Sequence, residues 1–207
     1  MAEEREARIV AAGETVEVNG SEYKLRPLVA QHLCDLEREA LRHYKRRYLQ
    51  TFVENDDLLR ESEGVIERKM EQVARWDLSD LPQKDAFDTS LVPITKKVRQ
   101  WVDKFAGEKT RTDVGVRALL ANALDNGRLE PEELKQMSGR APLRGRVRYD
   151  QWWVTSSMEG MVAFIALSVR SEHPELKKGD IAQWPFPKIA EAAGIVERLT
   201  SAAVGNM

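Results

Sequence analysis

Hydrophobic and polar positions alternate over Glu14-Thr-Val-Glu-Val-Asn-Gly-Ser-Glu-Tyr-Lys-Leu25 and recur at steps of three and four over most of the remaining chain. The alternating stretch has Asn19-Gly20 at its centre, two residues that accept positive φ, so it predicts a hairpin with a two-residue turn. That turn pairs Val18 with Ser21 and Val16 with Tyr23, which places Val16, Val18, Tyr23 and Leu25 on one face. An isolated hairpin is marginal in water, so this face must cover something, and the helix that follows is the natural candidate.

Pro27 suits the opening of that helix, where its missing N–H costs little. Val29, Leu33, Leu36, Ala40, Tyr44, Tyr48 and Phe52 then share a stripe, predicting a helix over about 28–53. Asn55-Asp56-Asp57 can cap a second helix with Leu59, Ile66, Met70 and Val73 on one face. Ser, Asp, Thr and Pro punctuate residues 77–93, which read as a connector between regions 12–76 and 94–207, or as a bend within one continuous domain.

Helical spacing resumes with Ile94, Val98, Trp101, Val102 and Phe105. It returns from Thr112-Asp113 to Asn126-Gly127 with Val116, Leu119, Leu120, Ala123 and Leu124 inward. A short helix follows Pro131, and residues 138–148 read as a basic loop. Residues 149–170 predict one helix that is apolar round most of its circumference (Trp152, Trp153, Met158, Met161, Phe164, Ile165, Leu167), as a central helix must be. Two shorter helices flank Trp184-Pro185-Phe186-Pro187, the last carrying Ile189, Val196 and Leu199. The fold expected is mainly α, a multi-helix bundle with a small N-terminal β-hairpin.

Composition narrows the function classes. The 207 residues are 42% hydrophobic and 32% charged with a net charge of -2, which disfavours a globally basic nucleic-acid binder. The single Cys34 excludes an intrachain disulfide framework and reads as a small buried hydrophobe. The start Met1-Ala2-Glu3-Glu4-Arg5-Glu6 has no basic n-region, and the longest apolar run, 160–169, is half a bilayer span, so a cytoplasmic protein is expected.

The chemistry-bearing motifs are absent. No two glycines are two residues apart, which removes G-x-G-x-x-G. Gly107-Glu108-Lys109-Thr110 ends like a phosphate loop but places a carboxylate where phosphate would sit. Asn122, Leu124, Asn126 and Glu133 fall at calcium-loop positions, but Leu124 offers no oxygen. His32, His43 and His173 form no zinc spacing and read as surface or helix-end residues. No G-x-S-x-G elbow occurs. A noncatalytic protein without metal or cofactor is expected.

Binding features remain. Arg42, Lys45, Arg46 and Arg47 crowd residues 38–47, and Arg140, Arg144, Arg146 and Arg148 crowd 140–148, two stretches that could track phosphates. Arg144 and Arg146 suit an acidic protein partner equally well. Trp184 and Phe186 either clamp the last two helices together or offer a preorganised aromatic surface to a partner.

Two stretches carry a resemblance. Glu17-Val-Asn-Gly-Ser-Glu-Tyr-Lys-Leu-Arg-Pro-Leu28, leading into a charged amphipathic helix, resembles the opening of bacteriophage tail assembly chaperones, although Val29 stands where many members have a capping Thr or Ser. Tyr149-Asp-Gln-Trp-Trp153, Ser157-Met-Glu-Gly-Met161 and Ser171-Glu-His-Pro-Glu-Leu176 resemble a helical segment of proteins from tail gene clusters. Together they cover about a third of the chain. The resemblance implies a host-cytoplasm factor that binds the helical tape-measure protein, and tail-tube subunits with it, during tail assembly. The alternatives are a structural tail or connector subunit of the virion, or a nucleic-acid-binding regulator using residues 38–47 and 140–148.

Overall fold

The computed structural model of the chain describes residues 13–54, 64–107, 109 and 112–205. The expected cap at 55–57, Leu59, the side chains of Phe52 and Ile66, and Glu108 and Thr110 lie outside the described residues.

The hairpin forms as its pattern dictates. Strands β1 (Glu14–Val18) and β2 (Ser21–Leu25) pair antiparallel with Val18 opposite Ser21 and Val16 opposite Tyr23. Asn19 and Gly20 turn the chain at φ 51° and 80°, the positive pair that a two-residue turn needs. Val16, Val18 and Leu25 are buried.

The face they form does not cover the following helix, α1 (Ala30–Glu54). It packs chiefly on two C-terminal helices, α7 (Met158–Val169) and α9 (Phe186–Gly205). Backbone bonds fix that docking. Lys24 N–H donates to His173 Nε2 at 3.1 Å, Arg26 N–H to Ser168 Oγ at 2.8 Å, and Leu28 N–H to Thr200 Oγ1 at 3.0 Å. Val29, expected on the apolar stripe, is 58% exposed because it only starts the helix, accepting from Leu33 N–H. Cys34 is exposed as well, since Leu33 and Leu36 take the inward positions on either side of it.

Nine helices lie among the described residues. Helix α2 (Val65–Ala74) turns Val73 inward but leaves Met70 half-exposed. The segment read as a connector is more ordered than its punctuation suggests. Asp77 caps a 3-10 turn at Leu78–Asp80, and β3 (Gln83–Asp88) follows. Its partner is β4 (Leu143–Arg148), the stretch read as a basic loop, in register from Gln83 opposite Arg148 to Asp88 opposite Leu143. Between them lie α3 (Lys96–Ala106), α4 (Asp113–Asp125) and α5 (Pro131–Ser138). These three helices build a second apolar cluster around Val98, Leu119, Leu120 and Leu134. The larger cluster joins the hairpin, α1, α7 and α9.

Residues 149–170 do not form one helix. Helix α6 (Tyr149–Ser156) stops at Ser157, and α7 leaves it at 85°. Ser157 Oγ accepts from Gly160 N–H at 3.0 Å and donates to the Trp153 carbonyl at 2.7 Å, so one hydroxyl ends α6 and starts α7. The bend lifts Met158 to 41% exposure, while Met161 to Ile165 are buried, leaving α7 as the central helix. No single helix among the described residues is long and apolar enough to cross a membrane. Helix α8 (Lys178–Ile181) and the Trp184–Pro187 corner lead into α9.

Candidate functional site

A cleft of about 1070 Å³ opens where five structural units meet. One wall is α9, with Ala193, Gly194, Glu197 and Ser201; the facing wall is α4, with Val114, Ala118, Ala121 and Asp125. The β3–β4 ribbon closes one side, and Leu33 and Leu36 of α1 reach in from another. Val154, Met161 and Phe164 contribute the floor at the α6–α7 bend. Its lining is mainly apolar, because α4 and α9 bring Val114, Ala118, Ala121, Ala193 and Gly194 to it between their charged residues. A shallower recess of about 370 Å³ lies among the charged residues of α2.

Charge is organised around this apolar floor. Arg148 holds Asp150 through two bonds of 2.6 and 2.7 Å and also pairs with Glu37, so one guanidinium joins β4, α6 and α1. These carboxylates push its pKa up, Asp150 most of all. Arg144 pairs with Asp85 across the ribbon at 2.6 Å, and Arg198 pairs with Glu14 of β1. Arg117 donates to the carbonyls of Thr89 and Val92.

Besides Glu37 and Asp150, three further carboxylates line the cleft, in different environments. Burial raises the Asp125 pKa, opposed by its bonds from Ser156 Oγ and Phe87 N–H. Both Asp125 oxygens are thereby occupied, one on the ribbon and one on α6, which makes this side chain a strut. Asp88 accepts from Ser90 N–H at 2.7 Å, and its bonds from Ser90 hold its pKa low, aided by Arg117. Glu197 is open to the cleft yet crowded by its walls; that desolvation, and then the charge of Asp88, pushes its pKa up.

Arg144 lies on the cleft rim, whereas Arg146 is exposed and does not line it. Trp184 is buried against Tyr23, 4.8 Å between ring centroids, and Phe186 packs between the two apolar clusters with its edge toward Phe105. Neither lines the cleft. Sequence reasoning missed Glu197, Asp88 and Asp125, since each looks like an ordinary solvated carboxylate on its own element. Asn122, a calcium-loop position by spacing, instead donates to the Ser156 carbonyl at 3.1 Å.

Comparison with family models, with curated proteins and with solved structures finds no match to this chain.

Outside the cleft, His43 is largely buried, unlike the surface position expected. Its Nδ1 lies 2.9 Å from the Tyr149 hydroxyl and its Nε2 2.7 Å from Glu159. Burial lowers its pKa, opposed by Glu159. The geometry suits a neutral ring that accepts from Tyr149 and donates to Glu159. Tyr149 is itself buried with a raised pKa, which leaves it un-ionised and a poor nucleophile. Among the described residues no group of three or more His, Cys, Asp and Glu side chains is placed to hold a metal ion.

Proposed function

We propose that the chain is a noncatalytic assembly factor that shelters an amphipathic client helix in this cleft, and that the client is the tape-measure protein of a phage tail. The observation that carries the reading is the size and lining of the cleft. A helix about 10 Å across rising about 1.5 Å per residue occupies roughly 120 Å³ per residue, so the cleft suits about nine residues, or two and a half turns. Apolar floors with charged rims are how grooves take up amphipathic helices. The sequence resemblance to tail assembly chaperones supplies the identity of the client, and with it action in the host cytoplasm.

Two further features favour a protein client over nucleic acid. Arg144 and Arg148 are already paired with carboxylates. Tyr44 and Tyr48 are packed on Trp76, with centroids 5.6 and 4.8 Å away, and are not free to stack on bases.

The test is co-expression with helical segments of a phage tape-measure protein. Ala121→Trp places an indole in the cleft without disturbing the core clusters. Co-purification by the parent chain, lost in Ala121→Trp at unchanged melting temperature, is the expected result. Equal capture by both overturns the cleft as the binding site. Recovery of the chain in purified virions at subunit stoichiometry would favour the structural role instead.

A further inference from the structure

Glu197 stands apart from the other charged groups that line the cleft. The arginines there are engaged: Arg148 with Asp150 and Glu37, Arg144 with Asp85, Arg198 with Glu14, and Arg117 with two carbonyls. Asp125 has both oxygens bonded, and Asp88 is bonded to Ser90 and lies beside Arg117. Glu197 has no hydrogen-bond or ion-pair partner among the described residues, and the charge that acts on it is the like charge of Asp88. It projects from α9 beside the apolar surface formed by Ala193, Val114 and Ala118.

A partner that covered this wall with hydrocarbon alone would strip the remaining water from an unpaired carboxylate, which is strongly unfavourable. A partner with a cation at that point would gain a charge-assisted bond in a water-poor setting. We infer that the cleft selects helices carrying a Lys or Arg at the edge of their apolar face, directed at Glu197. This deepens the helix-sheltering reading and rests on it. Register follows as well as selection, because one fixed charge allows a sliding amphipathic helix only the positions that bring a cation opposite Glu197.

The probes are three fluorescein-labelled 18-residue Ala/Leu amphipathic peptides, identical except for Lys, Gln or Glu at one central position on the edge of the apolar face. They are titrated by anisotropy against the full chain, Glu197→Gln and Glu197→Lys. Glu197 is an exposed helical position, and melting curves of each variant are the control for folding. The parent chain should bind the Lys peptide ten- to a hundredfold more tightly than the Gln peptide, as a charge-assisted bond implies. Glu197→Gln should erase that preference, and Glu197→Lys should shift it to the Glu peptide.

Equal binding of all three peptides by the parent chain overturns cation selection but leaves helix sheltering standing. Absence of binding to any peptide below millimolar concentration overturns both. A preference for Lys that survives Glu197→Gln places the counter-charge elsewhere and overturns the role of Glu197. Tighter binding after removal of residues 1–12 would make the chain's own N-terminal segment the occupant. Self-association that Glu197→Lys abolishes would make it a second copy. Either result overturns client recognition.

Discussion

Gly160→Ala separates the bent arrangement of α6 and α7 from a straight helix by the sign of its effect. In a continuous exposed helix, alanine is favoured over glycine by about 1 kcal/mol, so the substitution would stabilise. At the bend the outcome reverses. A Cβ on Gly160 would lie 2.0 Å from the Trp153 carbonyl oxygen, 2.5 Å from its carbon and 2.9 Å from Val154 Cα. All three obstacles are backbone, so no side-chain rotation relieves them, and α7 must move away from the end of α6. Overpacking of this kind costs up to about 3 kcal/mol. The same movement lengthens the Ser157 cap bond to Gly160 N–H, for about 1 kcal/mol more. After the helix gain is subtracted, roughly 3 kcal/mol of destabilisation remains, a fall of about 6–12 °C in a chain of this size. Urea denaturation followed by far-ultraviolet circular dichroism measures it, with Ser157→Ala as the control that loses the cap alone. A Gly160→Ala variant as stable as the parent, or more stable, refutes the bend.

Two predictions concern pH. The folded Glu197 pKa is raised, so as pH climbs from the unfolded to the folded value the unfolded chain releases its proton first and stability falls. Glu197→Gln should therefore melt higher than the parent at pH 7 and lose that advantage near pH 3; a difference independent of pH contradicts the desolvation of this carboxylate. His43 has the opposite sense, its lowered folded pKa making stability fall as pH drops through the ordinary histidine range. Its ring resonance should titrate with a midpoint below that of an unfolded histidine, and Glu159→Gln should lower the midpoint further by removing the opposing attraction. A midpoint at or above the unfolded value would refute the burial.

The features legible in the sequence were those set by neighbours along the chain. The hairpin register follows from Asn19-Gly20 and the flanking alternation, and helix α4 from the Thr112 cap, whose Oγ1 accepts from Gly115 N–H at 3.0 Å. The break at Ser157 was hidden because hydrophobic periodicity runs unbroken through it; the available signal was a hydroxyl three residues before a glycine. The β4 strand was also signalled, by arginines at every second position from 144 to 148, a period that belongs to strands rather than loops. The hairpin's true partners and the cleft were beyond reach of the same reasoning. Ser168 and Thr200 meet β2 and its exit across more than 140 residues, and the cleft draws its lining from seven elements spread between residues 33 and 201. Glu191 has Lys188 three residues before it on the same helix, whereas Glu197 has Gly194 there; that much is local, but only the fold places Glu197 in the cleft.

The ribbon has a consequence for how this chain can change. Asp88 at the end of β3 sits opposite Leu143 at the start of β4, so the 54 residues between them depart and return on one rung. Helices α3, α4 and α5 thus hang from a neck only about 5 Å wide, the spacing of paired strands. That is the geometry of a cassette: a short turn could join the two neck strands in its place and preserve their pairing. Because α4 from this cassette forms one wall of the cleft, exchanging it would remodel that wall while α1, α7 and α9 kept theirs.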